Sequence, residues 1–513
     1  MAESSGERKV YLRLVIDEEK KKVVLAEAGT DFVDVLFSFL TLPMGTITRL
    51  LEKHEKSQAV TVGCFNNLYR SVMDMAIDNF ETEACKKMLL YPRSTRDFQC
   101  KKLKLNINPS EGDKYFKCPS FSYCKLCSNF NTSLCRCGNL MKEEIQVSEL
   151  NVVDKVQDGV FIKGGSTFII TDELEVAAKS TGLVLERLKS LGCADVNKLG
   201  ERLVGIGFKE VLALLQCVFS SNTPLTDTFL NKQSPQVVTR IYKSPSPCVK
   251  IEEEEAEPEK VITLNAIVRK FDKKILFVDC GEDFVELLFS FLATPLESVL
   301  EISGNNNISL GCIANFCRSF KHLSVNEGNE VSASKYVLPC FYSFQMQLSG
   351  ITTLKPPVYY RYYILASINK PQYALTRDSN QLPYYRHEKL VPVTLLDPKS
   401  HAYDQSRHGG GFLKKETRFT VSDDLIITPM NSCSTVCLLK KLQINTEDLQ
   451  VQVISISKAE ALNLLRASLV TSSALNEALC HLITKEPKKR PVCETPQLRR
   501  SQRKKLNDAE SHP

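Results

Sequence analysis

The stretch GTDFVDVLFSFLTLP occupies residues 29–43, and the same pattern returns as GEDFVELLFSFLATP at residues 281–295. Most of its side chains are large and apolar, whereas Asp34, Ser38 and Thr41 recur at helical spacing and share one narrow stripe. A helix with so little polar surface has to be covered on nearly every side. The repeated stretch therefore predicts two helices that lie inside the protein, each ended by a proline.

Acidic residues open both copies of this stretch. Asp31 and Asp283 stand where a helix N-cap is needed, and Asp34 and Glu286 follow three residues later. This spacing predicts an acidic variant of the capping box, in which carboxylates accept the free N–H groups of the first turn. The alternative is a pair of catalytic carboxylates. Capping is the preferred interpretation because it accounts for the positions of the acids without further assumptions.

The composition is that of an ordinary globular protein. Of the 513 residues 43% are hydrophobic, the start of the chain shows no secretory signal, and the longest apolar run, residues 32–42, is too short to span a membrane. Nineteen cysteines without a secretory signal argue against a disulfide framework. These features predict a soluble protein of the cytoplasm or the nucleus, with no membrane partner.

The positive charge is concentrated at the end of the chain. The formal net charge is +6, but residues 485–513 contain nine basic and four acidic side chains, a net charge of +5. The rest of the chain is electrically balanced, which argues against a nucleic-acid-binding body. Within residues 488–505, two basic clusters resemble a bipartite nuclear import signal, and the alternative is a solvated disordered tail.

The repeat divides the chain into segments. The predicted segments are a disordered start at 1–9, a first repeat half at 10–220, a linker rich in Pro, Ser and Glu at 221–260, a second repeat half at 261–480, and a basic disordered tail at 481–513. In each half a β-hairpin precedes the apolar helix. The predicted fold class is therefore α+β, internally duplicated, with two tandem halves that are each built of β-hairpin plus helix modules.

Two further local structures are predicted within the first half. Residues 159–163 and 167–171 alternate as strands around a glycine turn and predict a second hairpin. Residues 86–104 are basic and predict a loop that enters a strand at residues 103–106. This basic segment is either a small phosphate-binding surface or a solvated loop face, and its scarcity of aromatic residues favours the solvated face.

Several motifs occur here in combination. They are the hairpin followed by Asp-Phe-Val-x-x-Leu-Phe-Ser-Phe-Leu, the Gly-Cys-x-x-Asn-x-x-Arg-Ser pattern at 63–71 and 311–319, the strand at 103–106, and the Thr-Asp-Glu-Leu or Ser-Asp-Asp-Leu module at 171–174 and 422–425. The combination resembles a plant protein family catalogued as domain of unknown function 674, over almost the whole chain. The resemblance implies a plant source and no established activity.

The best local signal for a bound group lies in the cysteine-rich loop at residues 118–138. The spacing Cys124-x2-Cys127-x7-Cys135-x-Cys137 brings four thiols within fourteen residues. A Cys-x2-Cys turn directs two sulfurs at one point, and four thiolates complete the tetrahedral coordination of Zn²⁺. The spacing predicts a structural zinc site with Cys124, Cys127, Cys135 and Cys137 as ligands. The alternative is a cluster of thiols without a metal.

No spacing in the chain matches a known catalytic motif, and no catalytic or cofactor-binding residue is assigned. The sequence therefore predicts a non-catalytic binding or interaction module with a structural zinc loop and an unknown protein partner. Two alternatives stay open: an enzyme without a recognisable motif, and a nuclear nucleic-acid-binding protein. Nucleic acid is the less favoured partner because the basic residues concentrate in the tail.

Overall fold

The structure of the chain is a computed structural model. It describes residues 8–54, 62–94, 96–108, 114–135, 137–147, 159–162, 165–193, 195–231, 261–302, 312–326, 359–365, 371–376, 389–395 and 412–483. The predicted disordered start therefore falls almost wholly outside the described residues, as does most of the predicted linker and basic tail.

The described residues form sixteen strands and fourteen α-helices, which occur in short runs along the chain. The strands are β1 Val10–Asp17, β2 Lys22–Gly29, β3 Tyr115–Lys117, β4 Leu126–Ser128, β5 Glu143–Val147, β6 Thr167–Thr171, β7 Val176–Ala178, β8 Leu199–Ile206, β9 Ile262–Arg269, β10 Ile275–Cys280, β11 Tyr359–Leu365, β12 Pro371–Thr376, β13 Val391–Leu395, β14 Phe419–Ser422, β15 Ile427–Pro429 and β16 Leu449–Ile456. The α-helices are α1 Thr30–Ser38, α2 Met44–His54, α3 Phe65–Asp74, α4 Glu83–Leu90, α5 Asp97–Cys100, α6 Thr181–Ser190, α7 Phe208–Ser220, α8 Pro224–Phe229, α9 Glu282–Ala293, α10 Leu296–Ile302, α11 Ile313–Asn326, α12 Ser432–Leu442, α13 Lys458–Val470 and α14 Ala474–Ile483. Short 3₁₀ turns lie at Phe39–Thr41, Ile77–Asn79, Val196–Lys198 and Thr446–Asp448.

The strands form two five-stranded antiparallel sheets and one closed six-stranded sheet. The five-stranded sheets have the orders β7-β6-β2-β1-β8 and β15-β14-β10-β9-β16, and the closed sheet has the order β11-β12-β5-β3-β4-β13. In β1 the side chains alternate, with Leu12 and Leu14 buried and Tyr11 exposed, because one face of the sheet packs on the core. The mixture of helices and sheets confirms the predicted α+β class.

The repeated apolar stretch forms the buried helices α1 and α9. Every residue from Phe32 to Ser38 and from Phe284 to Ala293 is buried, as the sequence pattern predicts. The helices begin differently from the prediction, because the N-cap residues are Gly29 and Gly281, with no hydrogen bond from a capping side chain. The predicted acidic capping box is therefore wrong. No helix in the described ranges combines the length and the apolar character that crossing a membrane requires.

The carboxylate of Asp34 holds a distant loop instead of its own helix end. It accepts hydrogen bonds from the backbone N–H groups of Val160 at 2.7 Å, Phe161 at 2.8 Å and Ile162 at 3.3 Å. The loop can close around the carboxylate because residue 159 is glycine, where a Cβ atom would lie 2.2 Å from the Ile162 carbonyl oxygen. Residues 159–162 therefore form a tight bend, and the hairpin predicted there is absent from the described chain.

Glu286 has the corresponding place on α9. Its Oε1 accepts a hydrogen bond from the backbone N–H of Leu413 at 3.0 Å, and the side chain is buried. Asp34 and Glu286 each accept hydrogen bonds from backbone amides of a different loop. Both acids fix the conformation of a loop against a buried helix.

The two predicted halves share one hydrophobic core. The largest cluster of buried apolar side chains contains residues from β1 through α14. Phe37 of α1 contacts Phe316 and Phe320 of α11, with ring centroids 5.5 Å and 5.0 Å apart. Pairs of this geometry contribute about 0.5–1.5 kcal/mol beyond the area that they bury. Helix α9 in turn packs against α2 and α3. Each apolar helix is therefore covered partly by the other half, and not only by its own.

Polar contacts cross between the halves in a reciprocal manner. Asn67 on α3 donates its amide to the backbone oxygen of Asp424 at 2.8 Å, and Asn315 on α11 donates to that of Glu173 at 3.3 Å. These asparagines occupy the same position in the repeated Gly-Cys-x-x-Asn-x-x-Arg-Ser motif. The helix that carries each motif therefore packs on the five-stranded sheet of the opposite half.

Two stretches of the chain, the basic segment 86–104 and the residues after 220, differ from their predicted structure. The described residues of the basic segment 86–104 lie on helices α4 and α5 and in turns, and no strand forms at residues 103–106, where the chain bends. Beyond residue 220, helix α8 continues the packed part of the first half, because Pro224, Leu225 and Thr226 on it are buried. The first residues of the segment that the sequence assigned to a linker therefore include a packed helix.

Asp172 anchors α8 and provides a pH-dependent prediction. Its carboxylate accepts hydrogen bonds from the Thr226 backbone N–H at 2.9 Å and from the Thr226 hydroxyl at 2.6 Å. Burial raises the pKa of Asp172 to about 6, although the hydrogen bonds from Thr226 oppose the rise. The folded chain therefore binds a proton at Asp172 more tightly than the unfolded chain does. The stabilisation from this proton is fully present below the unfolded pKa and is lost as the pH rises through the folded pKa.

We expect the stability difference between the wild type and Asp172→Asn to depend on pH, since the amide keeps the shape of the side chain but does not titrate. The free energy of unfolding of the wild type relative to the variant should fall by about 1–3 kcal/mol between pH values of about 4 and 7. Urea denaturation at a series of pH values measures this difference. A difference that rises with pH would contradict the assigned direction of the pKa shift.

Candidate metal centre

Four cysteine sulfurs converge where β3, β4 and β5 meet. The Sγ atoms of Cys118, Cys124, Cys135 and Cys137 all lie within 4.8 Å of one another. The sulfurs of Cys137 and Cys118, for example, are 4.0 Å apart. Four sulfurs at this spacing around one point could hold a metal ion.

The first pair of cysteines is brought together by a turn that follows β3. The backbone N–H of Phe121 donates to the carbonyl oxygen of Cys118 at 3.1 Å, and that of Cys124 donates to Ser120 at 2.9 Å. These consecutive bonds wind the chain so that Cys124 returns beside Cys118. The backbone therefore positions the first two thiols without help from their side chains.

The second pair lies on a tighter turn. The backbone N–H of Cys135 donates to the Asn139 carbonyl oxygen at 2.8 Å, and the N–H of Gly138 donates to the Cys135 carbonyl oxygen at 2.8 Å. Gly138 adopts a φ of +83°, which is the left-handed region that glycine enters without strain. The Asn139 side-chain amide donates to the sulfur of Cys137 at 3.4 Å. The turn therefore both directs the two thiols and supplies a donor to one of them.

Cys127 does not belong to this group, although the sequence predicts it as a ligand. It lies on β4, paired with Lys117 of β3 and Leu395 of β13, and its side chain is buried in the main core. Burial raises the pKa of its thiol. Successive side chains of a strand point to opposite faces, so the strand that begins at Leu126 turns Cys127 away from Cys124. The structure places Cys118 in the fourth position instead.

The thiols of the cluster differ in acidity. Burial raises the pKa of Cys124 to about 11, and it also raises the pKa of Cys135. Burial acts to raise the pKa of Cys137 as well, but hydrogen bonds from the Asn139 backbone N–H and the neighbouring thiols lower it to about 7. Binding of a metal to this cluster requires the thiolates and therefore releases protons.

The second half of the chain holds the cysteine loop in place. The guanidinium group of Arg361 on β11 donates hydrogen bonds to the carbonyl oxygens of Phe121 and of Ser122, the latter at 2.7 Å. The same guanidinium lies over the rings of Phe121 and Tyr373, 5.4 Å and 5.2 Å from their centroids. Parallel pairing of β4 with β13 and of β5 with β12 completes the attachment. The cluster therefore sits at a junction of the two halves.

The other candidate site is the basic segment at residues 86–104, and many of its cationic side chains form hydrogen bonds or ion pairs within the protein. Lys86 donates to the backbone oxygens of Met73 and Met75, and Lys104 pairs with Asp31 at 2.9 Å. Two more ion pairs join cations and acids of neighbouring turns, Lys87 with Glu83 and Arg93 with Asp97. These contacts favour the solvated face over a phosphate-binding surface. The predicted import signal at residues 488–505 lies outside the described residues.

Comparison with known proteins identifies a family. A family model described as "Protein of unknown function (DUF674)" matches residues 6–459 of the chain. The resemblance indicated by the sequence motifs is thereby confirmed. No curated protein and no solved structure matches the chain.

Proposed function

The chain belongs to the DUF674 family, whose description names no activity, and we propose from its own geometry that it is a non-catalytic binding or interaction protein stabilised by zinc. The proposed ligands are Cys118, Cys124, Cys135 and Cys137. The observation that carries the proposal is the convergence of these four sulfurs within 4.8 Å of one another.

Zinc is the metal that this donor set fits best. Four thiolates form a tetrahedral site for Zn²⁺, and a Zn–S distance of about 2.3 Å requires sulfurs about 3.8 Å apart. The sulfurs of Cys118 and Cys137 are 4.0 Å apart and all four sulfurs lie within 4.8 Å of one another, so only small movements separate the cluster from that geometry. The amide of Asn139 already donates to Cys137, as outer-shell groups do in metal sites.

The role of the proposed zinc is structural. Four protein ligands fill a tetrahedral coordination sphere and leave no position for a substrate or a water molecule. The loop that carries the ligands is joined to the second half through Arg361 and through β13. Zinc at this place would stiffen the loop at the junction of the two halves.

We further propose that the two halves arose by duplication and act as one scaffold. The proposal is supported by the corresponding strand orders of the two five-stranded sheets. It is also supported by the reciprocal contacts of Asn67 and Asn315, which come from equivalent positions of the repeated motif. A protein built of two interlocked halves offers equivalent surfaces that can diverge to bind partners.

The metal content of two matched variants tests the zinc site. Cys118 and Cys127 are both fully buried, and only Cys118 belongs to the sulfur cluster. We expect about one zinc ion per chain in the wild type and in Cys127→Ala, and far less in Cys118→Ala, because three thiolates bind zinc more weakly than four. Inductively coupled plasma mass spectrometry of the folded, reduced protein gives the stoichiometry.

The exposed ligand Cys137 provides a variant that does not disturb the core. Cys137→Ala should fold and should also lose zinc. A wild-type protein that takes up no zinc from a Zn²⁺ titration under reducing conditions would overturn the proposed site. Equal zinc content in Cys118→Ala and Cys127→Ala would overturn the assignment of its ligands.

A further inference from the structure

Strand β16 is the open edge of the second five-stranded sheet. Its sequence LQVQVISI contains no charged residue and no proline, and it spans Leu449–Ile456. Among the described strands it pairs only with β9, along its full length. A long uncharged edge strand is a template for the addition of another strand, and proteins usually guard such an edge with charges or proline.

The unpaired backbone groups of β16 can be located from its pairing with β9. Lys270 donates its backbone N–H to the oxygen of Asp448 at 2.8 Å, just beyond the last paired residues of the two strands. In an antiparallel ladder, hydrogen-bonded pairs alternate with pairs whose backbone groups point outward. Counting from the hydrogen-bonded pair of Asp448 and Lys270, Val451 and Val453 fall in the pairs that are not hydrogen-bonded to β9. Their N–H and C=O groups therefore point away from β9, toward the open edge.

The side chains of the same two residues are exposed. Val451 and Val453 have 66% and 63% of their surface accessible, on the face of the sheet opposite to the buried Leu264 and Ala266. Two exposed valines that alternate along an edge form an apolar strip next to backbone groups that no described strand pairs. Both kinds of surface would be satisfied at once by a strand added to β16.

The first sheet provides an internal comparison. Strand β8 occupies the equivalent edge, but its sequence LGERLVGI has Glu201 and Arg202 in the middle. Of the two positions that are exposed valines in β16, Glu201 occupies that of Val451, and only that of Val453 is apolar in β8, where it is Leu203 with 65% of its surface exposed. Charges of this kind disfavour strand addition. The two edges therefore differ in the feature that decides whether a strand can be added.

We propose that the edge of β16 is an interface with a second copy of this chain, formed by antiparallel pairing of the two β16 strands. A two-fold axis at Gln452 would set Val451 of one copy against Val453 of the other, and no like charges would meet. The same arrangement of β8 would set Arg202 against Arg202. The self-complementary and uncharged pattern of β16 is the reason for assigning a second copy as its occupant. This interface does not depend on the proposed zinc site.

Sedimentation velocity over a concentration series of the full-length protein tests the interface. We expect a dimer whose dissociation constant rises at least about tenfold in Val451→Lys/Val453→Lys, since like charges would meet across the two-fold axis. Leu203→Lys, at the matching position of β8, should leave the dimer unchanged. Val451→Pro removes one outward N–H group, a change that edge strands tolerate, and should weaken the dimer without unfolding the chain.

Several outcomes would overturn the proposal. One is a wild-type protein that is monomeric at every concentration. This result overturns the proposal if the β16 amides exchange rapidly with deuterium, and equally if another segment of the same chain protects them from exchange. Another is a dimer that Leu203→Lys weakens as much as the double valine variant does. A monomer that instead binds a strand of a different protein at β16 would also reject a second copy as the occupant.

Discussion

Asp34→Ala is expected to lower the free energy of unfolding by about 2–4 kcal/mol at neutral pH. The substitution leaves the backbone N–H groups of Val160, Phe161 and Ile162 without their common acceptor in a buried place. Each buried donor that loses its acceptor costs about 1–3 kcal/mol. Part of this loss of stability is offset, because the substitution also removes a carboxylate whose charged form is disfavoured by burial. Burial raises the pKa of Asp34 to about 6.

Asp31 is the matched control, three residues earlier in the same helix. Its carboxylate is largely exposed and pairs with Lys104 at 2.9 Å, so Asp31→Ala should change the stability by no more than about 1 kcal/mol. Chemical denaturation of the two variants and the wild type compares the two acids directly. The predicted capping box would require Asp31, as the cap, to be the more important acid. A larger loss of stability in Asp31→Ala than in Asp34→Ala would therefore contradict the observed structure.

Gly63→Ala is expected to destabilise the protein by about 3–4 kcal/mol, because it disturbs the contact between the two halves. Gly63 adopts a φ of +50°, and a Cβ atom there would lie 2.2 Å from the carbonyl oxygen of Ser468 and 2.7 Å from the carbonyl carbon of Leu469. Both atoms belong to the backbone of α13, which cannot move without disturbing the core. The neighbouring N–H of Cys64 donates to the same Ser468 oxygen at 2.8 Å.

Gly192→Ala distinguishes the cost of the close approach to α13 from the cost of the positive φ alone. Gly192 also has a positive φ, +66°, but a Cβ atom there would meet nothing within 4 Å. Its replacement should cost only the left-handed conformation, about 1–2 kcal/mol. Thermal unfolding monitored by circular dichroism measures both variants. Equal shifts of the melting temperature would show that the approach of Gly63 to α13 contributes nothing to stability.

The elements that the sequence predicted well are those with a strong local pattern. Apolar side chains on nearly every face of residues 29–43 and 281–295 left burial as the only outcome for these helices, and both are buried. The hairpin at the start of the chain was predicted from the alternating side chains of residues 10–16 and forms β1 and β2. The motif combination indicated the family, because it extends over most of the chain.

Errors arose where a polar residue had more than one possible partner. The position of Asp34 suited a cap within its own helix, but the carboxylate binds amides 126–128 residues away along the chain. The glycine at residue 159 was likewise assigned a local role, as the start of a strand. In the structure it leaves room for the carboxylate of Asp34, which a Cβ atom at this residue would crowd. Sequence spacing predicts contacts between near neighbours in the chain, and it does not identify partners that are more than a hundred residues away.

The candidate metal site was predicted in part from the spacing of its cysteines, and in part it was not. Three of its sulfurs, those of Cys124, Cys135 and Cys137, were predicted from spacing. Cys127 was chosen over Cys118 because a Cys-x2-Cys turn commonly supplies two ligands. The strand character of residues 126–128 would have argued against it, since alternation places neighbouring side chains on opposite faces. Spacing alone could not show that β4 begins between the two cysteines.

By itself the sequence determined the family, the α+β class, the two buried helices and the presence of a cysteine-rich loop, because periodicity, composition and repeated motifs are properties of neighbouring residues. Only the tertiary structure decided which thiols converge, which amides the buried acids bind, and that the two halves share one core. Those features depend on contacts between residues far apart in the chain, and such contacts are selected by the packing of whole sheets and helices.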